Sequence, residues 1–309
     1  MKVAFLFAGQ LRDIPIDLFK KSLINLTDSL EYDIYAYLWD EAGKSLNHSE
    51  KNIVDKVDIN PKVIVNDLFK GFNIKAIKYD SFTRFKDNLE PKYLKIYKNN
   101  KYHSGTINAL PQIFTLQKCF ELINTEIDSY DLIFKCRFDS LFVHPLRLYN
   151  LEKIKISQKV YSLNFGRAFY PKRIYDIFFG GSQSSMMFLS KIWDNLPYLV
   201  ADEFDNKLDK RDACRILYLA VCKHGKSVDS FETRICDVFR NFKYNYYERY
   251  ILSMHLISLK NFLKNIFIIY YFYNWFNLRK FSLFKFVSYL LIAVLISPLS
   301  YLKRIKYIK

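Results

Sequence analysis

Two short stretches place polar side chains where an apolar run ends. Gly9-Gln10-Leu11-Arg12 follows the run over residues 2–8, and Arg137-Phe138-Asp139 follows the run over residues 130–136. Glycine lets the backbone approach a ligand closely, and the planar fork of Arg12 or Arg137 matches phosphate oxygens in bidentate fashion. Asp139 suits a divalent cation or a ribose hydroxyl. Along an extended strand residues 137 and 139 project to the same side, with Phe138 facing away. The same spacing also describes a buried Arg–Asp pair that closes the strand, and both readings stay open. Asp176, which opens a strand-like run over 176–189, is a candidate general base for an attacking hydroxyl.

These residues need a scaffold that holds strand ends side by side. Residues 2–9 (KVAFLFAG) read as a buried strand of the kind that opens a parallel α/β sheet. A leucine stripe at 18, 23, 26 and 30 predicts a helix over 17–30. The aromatic run YDIYAYLW predicts a strand over 32–39, with weaker strands over 62–65 and 74–79. Leu110, Ile113, Phe114, Phe120 and Ile123 predict a helix over 108–124, with Pro111 in its first turn. A buried strand follows over 130–139, and further strand or strand-to-helix segments over 159–164 and 176–189. Gly180-Gly181 is expected to make a tight turn. Strands alternating with helices imply a mostly parallel sheet covered on both faces, and ligands of such sheets bind outside the carboxyl ends of the strands.

The chain has 309 residues and a net charge of 47 − 31 = +16. Half its residues are hydrophobic and it holds 8 glycines and 8 prolines, which excludes a collagen-like or disordered polypeptide. The charge is uneven: residues 241–309 hold 11 Lys/Arg and one acid, Glu248, so they carry +10 and the first 240 carry +6. Five cysteines (Cys119, Cys136, Cys214, Cys222, Cys236) show no paired metal spacing and read as reduced, buried thiols. No signal-peptide pattern precedes the first strand. Histidines such as His103 and His144 read as ordinary loop residues.

The segments FAGQLR, LPQIFTLQKCFELI, YDLIFKCRFDS and YDIFFGGSQSSMMFLS recur here in the order in which they occur in one family. The chain resembles the WavE-like bacterial proteins of lipopolysaccharide and capsule synthesis over roughly residues 1–210. That resemblance implies an α/β fold with a GT-A-like, mostly parallel sheet flanked by helices, and a glycosyltransferase acting on a nucleotide-sugar. It implies a donor bound by Gly9, Gln10 and Arg12 together with Arg137 and Asp139. It adds Gly180 and Ser182 from the segment 179–182, and Glu203, beside Asp202, as a base or acceptor contact. GT-A enzymes usually hold Mg²⁺ or Mn²⁺ through an Asp-x-Asp pair, and none occurs in this chain. Asp139 is then the one carboxylate positioned as a metal ligand, the alternative being that Arg12 and Arg137 neutralise the diphosphate without metal.

Residues 1–240 are thus expected to form a nucleotide-sugar-binding catalytic domain, and 241–309 a helical, membrane-associating tail. Residues 286–302 carry no charge and are flanked by Lys280, Lys285, Lys303 and Arg304. As a helix they span about 25 Å, short of a hydrocarbon core of about 30 Å, so the tail reads as a monotopic anchor on anionic lipid, with a single short transmembrane span or a buried core helix as the alternatives. The expected place is the cytoplasmic face of the inner membrane, with a glycan or lipid-linked acceptor. Nucleic acid is not an expected partner, because the basic residues flank apolar runs and line no recognition helix. A scaffold of a glycan-synthesis complex is the remaining non-catalytic reading.

Overall fold

The computed structural model describes residues 1–12, 16–43, 56–57, 60–93, 104–123, 126–142, 144–163, 172–201, 213–231 and 236–238. Met1–Phe242 form one unit, and a second, Lys243–Lys309, lies wholly outside the described residues, as does the expected membrane tail.

In chain order the described elements are β1 (Lys2–Gly9), α1 (Ile16–Thr27), β2 (Glu31–Trp39), β3 (Ala42–Gly43), β4 (Lys56–Val57), α2 (Pro61–Phe69), β5 (Ile74–Asp80), α3 (Phe82–Asp87) and α4 (Ser104–Glu121). There follow β6 (Leu132–Cys136), β7 (Ser140–Phe142), α5 (Leu151–Ile156), β8 (Lys159–Ser162), β9 (Phe178–Ser182), α6 (Gln183–Met186), α7 (Leu196–Ala201), α8 (Ala213–Lys223), β10 (Ser227–Ser230) and β11 (Cys236–Val238).

Seven strands form one sheet in the order β10-β8-β9-β6-β1-β2-β5. β9 runs antiparallel to both its neighbours, and every other pairing in the sheet is parallel. This is the mixed α/β architecture with a mostly parallel sheet that the alternation of elements implies. The period of two along β1 divides its side chains between the faces. Ala4, Leu6 and Ala8 join Ile133 under Leu110, Ile113 and Phe120 of α4 and Ile216 and Leu217 of α8. Phe7 points the other way, its ring 5.9 Å from Phe19 of α1 and 5.1 Å from Phe69 of α2. Both faces are therefore sealed, and the strands read as near-continuous apolar runs for that reason.

Three local expectations are corrected. Residues 62–65 belong to helix α2: Asn60 caps it, its side chain accepting from the Lys62 N–H at 3.0 Å, and Pro61 suits the first turn. Val65, Leu68 and Phe69 then share the buried stripe, so helical spacing outweighs the β-branched run. Pro111 lies inside α4, because that helix begins at Ser104. Gly180 and Gly181 make no turn. Both sit within β9, where a Cβ on Gly180 would meet Phe134 Cδ1 at 2.2 Å and the Ile133 carbonyl at 2.4 Å.

Candidate functional site

β1 leads through α1 to β2 on one side, and the sheet then extends to β5. The chain next returns to the other side of β1 with β6 and builds outward from there. The order therefore reverses between β1 and β6, and the crevice at their carboxyl ends is where an open α/β sheet binds its ligand. The register pairs Phe7 with Cys136, so the Gly9–Arg12 loop and the Arg137–Asp139 turn leave the sheet side by side. Gly9 has φ of 120°, and its missing Cβ would meet nothing within 4 Å. Backbone conformation, not space, requires glycine there.

Asp176 arrives at the same edge because β9 is antiparallel: its first residue, Phe178, pairs with Cys136, the last of β6. The start of α8 pins the segment ahead of it. Ile174 N–H donates to the Cys214 carbonyl at 3.0 Å, Arg215 Nη1 to the Lys172 carbonyl at 3.2 Å, and Cys214 Sγ to Asp176 Oδ1 at 3.7 Å.

Arg137 is the centre of this group. Its Nε donates to Asp139 Oδ1 at 2.7 Å and its Nη2 to Asp139 Oδ2 at 2.6 Å, while Nη1 reaches Asp176 Oδ2 at 3.1 Å. Three of its five N–H groups are thereby committed among the described residues, which leaves two for another acceptor. Asp139 is 3% exposed, whereas the Arg137 side chain keeps 25% of its surface open. Lys135, buried in β6 one turn of the pleat below, donates from Nζ to the Asp176 carbonyl. Arg12 lies within electrostatic reach of Asp139, Arg137 and Asp176.

The charges shape one another. Burial works against the Arg137 cation, but Asp139 and then Asp176 outweigh it and raise its pKa. Burial likewise opposes the Asp176 carboxylate, and Arg137 followed by Lys135 outweighs it, so its pKa is lowered. Lys135 goes the other way: burial dominates and pulls its pKa down to about 8, against the pull of Asp176. Arg12 is lowered by burial, with Asp139 opposing and Arg137 adding to the shift. Among the described residues the group thus holds three cations, Arg12, Lys135 and Arg137, against two carboxylates, Asp139 and Asp176. A local excess of positive charge in a crevice fits an anion.

Of the residues the sequence singles out, the structure brings together Gly9, Gln10, Arg12, Arg137, Asp139 and Asp176. It separates Gly180 and Ser182 from them. In an antiparallel strand the order of residues reverses, so Ser182 pairs with Leu132 at the amino end of β6. There its hydroxyl caps the short α6, accepting from the Ser185 N–H at 3.3 Å. Asp202, Glu203 and His103 lie outside the described residues. No motif marks Lys135, and Cys214, expected to be a buried thiol, is partly exposed beside Asp176, as Cys222 is exposed at the end of α8. Lys135 is a lone charge inside the apolar run LIFKC, a signal that could have been weighed. Nothing in the sequence around Cys214 connects it with Asp176.

The donor set does not form a cage for a cation. Among the described residues no three His, Cys, Asp or Glu side chains gather at one point. Both oxygens of Asp139 accept from the Arg137 fork, and Asp176 is shared between Arg137 and Cys214. The residues present therefore do not fit a divalent metal held through Asp139.

No family model matches the sequence, and no curated protein is similar to it. Among solved structures, the chain is similar to mouse xyloside xylosyltransferase 1 in its apo form. That likeness has a TM-score of 0.37 and 11% identity, and covers 74% of this chain and 84% of that one. A likeness of that size carries neither fold nor function across; the fold stands on strand order and direction.

Proposed function

We propose that the chain is a glycosyltransferase that binds the diphosphate of a nucleotide-sugar at the β1/β6 crevice and passes the sugar to a growing or lipid-linked surface glycan, of lipopolysaccharide or capsule. The observation that carries this reading is the gathering of Arg12, Lys135 and Arg137 at the switch point of an α/β sheet, where an anionic ligand belongs. The resemblance of residues 1–210 to WavE-like proteins supplies the sugar chemistry. When a nucleotide-sugar is cleaved, negative charge develops on the departing diphosphate. Arg137, fixed in place before reaction by its two carboxylates, and Arg12 beside it stabilise that charge. Asp139 and Asp176 orient the Arg137 guanidinium by holding it from two sides. Asp176 is a weak base in this setting, because the cations that surround it lower its proton affinity. The resemblance puts the removal of the acceptor proton at Glu203.

The basic, aromatic residues 241–309 support attachment to the cytoplasmic face of the inner membrane, where a lipid-linked acceptor would be met. No helix among the described residues is long and apolar enough to cross a membrane. A second reading, a scaffold without catalysis, is favoured by one observation: Arg137 commits three of its N–H groups to Asp139 and Asp176 within the chain. Donor hydrolysis separates the two. The full chain incubated with a panel of nucleotide-sugars is expected to release sugar from one of them, and Arg12→Ala is expected to abolish the release. A folded chain that neither binds nor turns over any donor is a scaffold.

A further inference from the structure

We infer that the site takes the diphosphate of its donor without a divalent cation, with Arg12, Lys135 and Arg137 in the place of the metal. The inference rests on the reading of the crevice as a donor site, and it concerns what neutralises the ligand there.

Both oxygens of Asp139 accept from the Arg137 fork, at 2.6 and 2.7 Å, in a position that is 3% exposed, so a metal bound through Asp139 would sit against that guanidinium. Like charges repel more strongly away from bulk water, and such a placement is unfavourable. The ion would also meet Lys135 and Arg12, whose charges act on the same group. These cations repel a dication, whereas they attract a diphosphate. The geometry of Arg137 favours the second event. Its two remaining N–H groups lie on a guanidinium held from both sides, and arginine and phosphate pair in bidentate fashion through such groups. Lys135 adds a compact cation that reaches Asp176 from beneath. Away from bulk water each of these charges acts more strongly on an anion than it would at the surface.

Isothermal titration of the full chain with inorganic pyrophosphate, UDP and GDP, each in EDTA and in excess Mg²⁺ or Mn²⁺, tests this. We expect at least one probe to bind in EDTA, with no gain in affinity on adding metal. Magnesium should weaken pyrophosphate binding, because it lowers the charge of the ligand. Arg12→Ala and Lys135→Met should each cost about tenfold in the EDTA titration, with folding checked by circular dichroism. Asp33→Asn, at the opposite edge of the sheet, should bind as the parent does. Binding that requires metal overturns the inference and leaves the donor site standing. Binding unchanged in both Arg12→Ala and Lys135→Met places the ligand elsewhere and also overturns it. No binding of any probe in any condition, from folded protein, removes the donor site and the inference together.

Discussion

The sheet carries a buried polar network at each end, and the two differ in how their charges close. At the amino ends of the strands Asp33, 1% exposed, accepts from Lys2 Nζ at 2.9 Å, from Tyr130 OH at 2.6 Å and from Asn73. With the Tyr130 proton committed to Asp33, the single Tyr35 proton goes either to Tyr130 OH at 2.8 Å or to Glu126 at 3.3 Å. Lys75 stands 4.0 Å from Glu126 and Lys155 2.7 Å from Asp131. Three lysines face three acids, and the tyrosine hydroxyls are bonded. Around Arg137 at the carboxyl ends, Asp139 and Asp176 pair with one guanidinium that keeps two further N–H groups among the described residues. The first network is closed on itself and holds strand ends in register. The second keeps donors that an anion can take.

The largest effect expected from breaking this contrast is at Arg137. Arg137→Met leaves Asp139 and Asp176 buried without the cation that pairs them, and should destabilise the protein by about 3–5 kcal/mol in urea denaturation. The double variant Arg137→Met/Asp139→Leu should recover part of that loss. If the single variant is as stable as the parent, the triad is not the closed, buried pair described here.

Gly180→Ala tests packing between the two ends. Its methyl group would overlap Phe134 and the Ile133 carbonyl, a backbone atom that cannot swing away. A loss of about 2–3 kcal/mol is expected. Nucleotide affinity of the folded fraction should not change, since β9 carries this residue away from the crevice. A selective loss of binding would return Gly180 to the donor site.

Asp33→Asn should cost about 1–2 kcal/mol, as one charged acceptor becomes neutral. Burial opposes the Asp33 carboxylate, but Tyr130 and Lys2 outweigh it, and its pKa falls below the ordinary 3.8. The stability it contributes is therefore fully present above pH 3.8 and is lost as pH falls through the folded value. The gap between parent and variant should be widest near neutrality and narrow below pH 3.8. A gap that persists into strong acid would assign the loss to shape alone.

Much of the carboxyl edge was legible in the sequence because an apolar run that ends in Gly9 or Arg137 announces both a strand and its exit. Strand position plus the alternation of Arg137 and Asp139 then points at the crevice. What the sequence does not carry is strand direction. YDIFFGGS reads as an apolar run whichever way it lies; the resemblance puts Gly180 and Ser182 at the site, and the antiparallel pairing of β9 carries them away from it while bringing Asp176 in. The misreading of 62–65 has a similar origin: four residues of Lys, Val and Ile suit either element, and the deciding signals, Asn60 and Pro61, lie outside them. Lys135 stayed hidden because a charge inside an apolar run looks like noise until both sheet faces are known to be sealed.

Lys135 offers the smallest stability change and the sharpest test of the contrast, since its two consequences have opposite signs. Its pKa of about 8 lies below the ordinary 10.5, so below pH 8 the folded protein carries a proton that burial disfavours. Between pH 8 and 10.5 the native state releases that proton while the unfolded chain keeps it, and stability should rise with pH. Lys135→Met removes the cost of burying the cation and, after the lost bond to Asp176, should stabilise the protein by about 1 kcal/mol at pH 7. The rise above pH 8 should vanish with it. The same variant should bind pyrophosphate about tenfold more weakly, because one of the three cations is gone. A residue kept for stability would lose both on substitution. Greater stability with weaker binding is what a charge that serves anion binding must show.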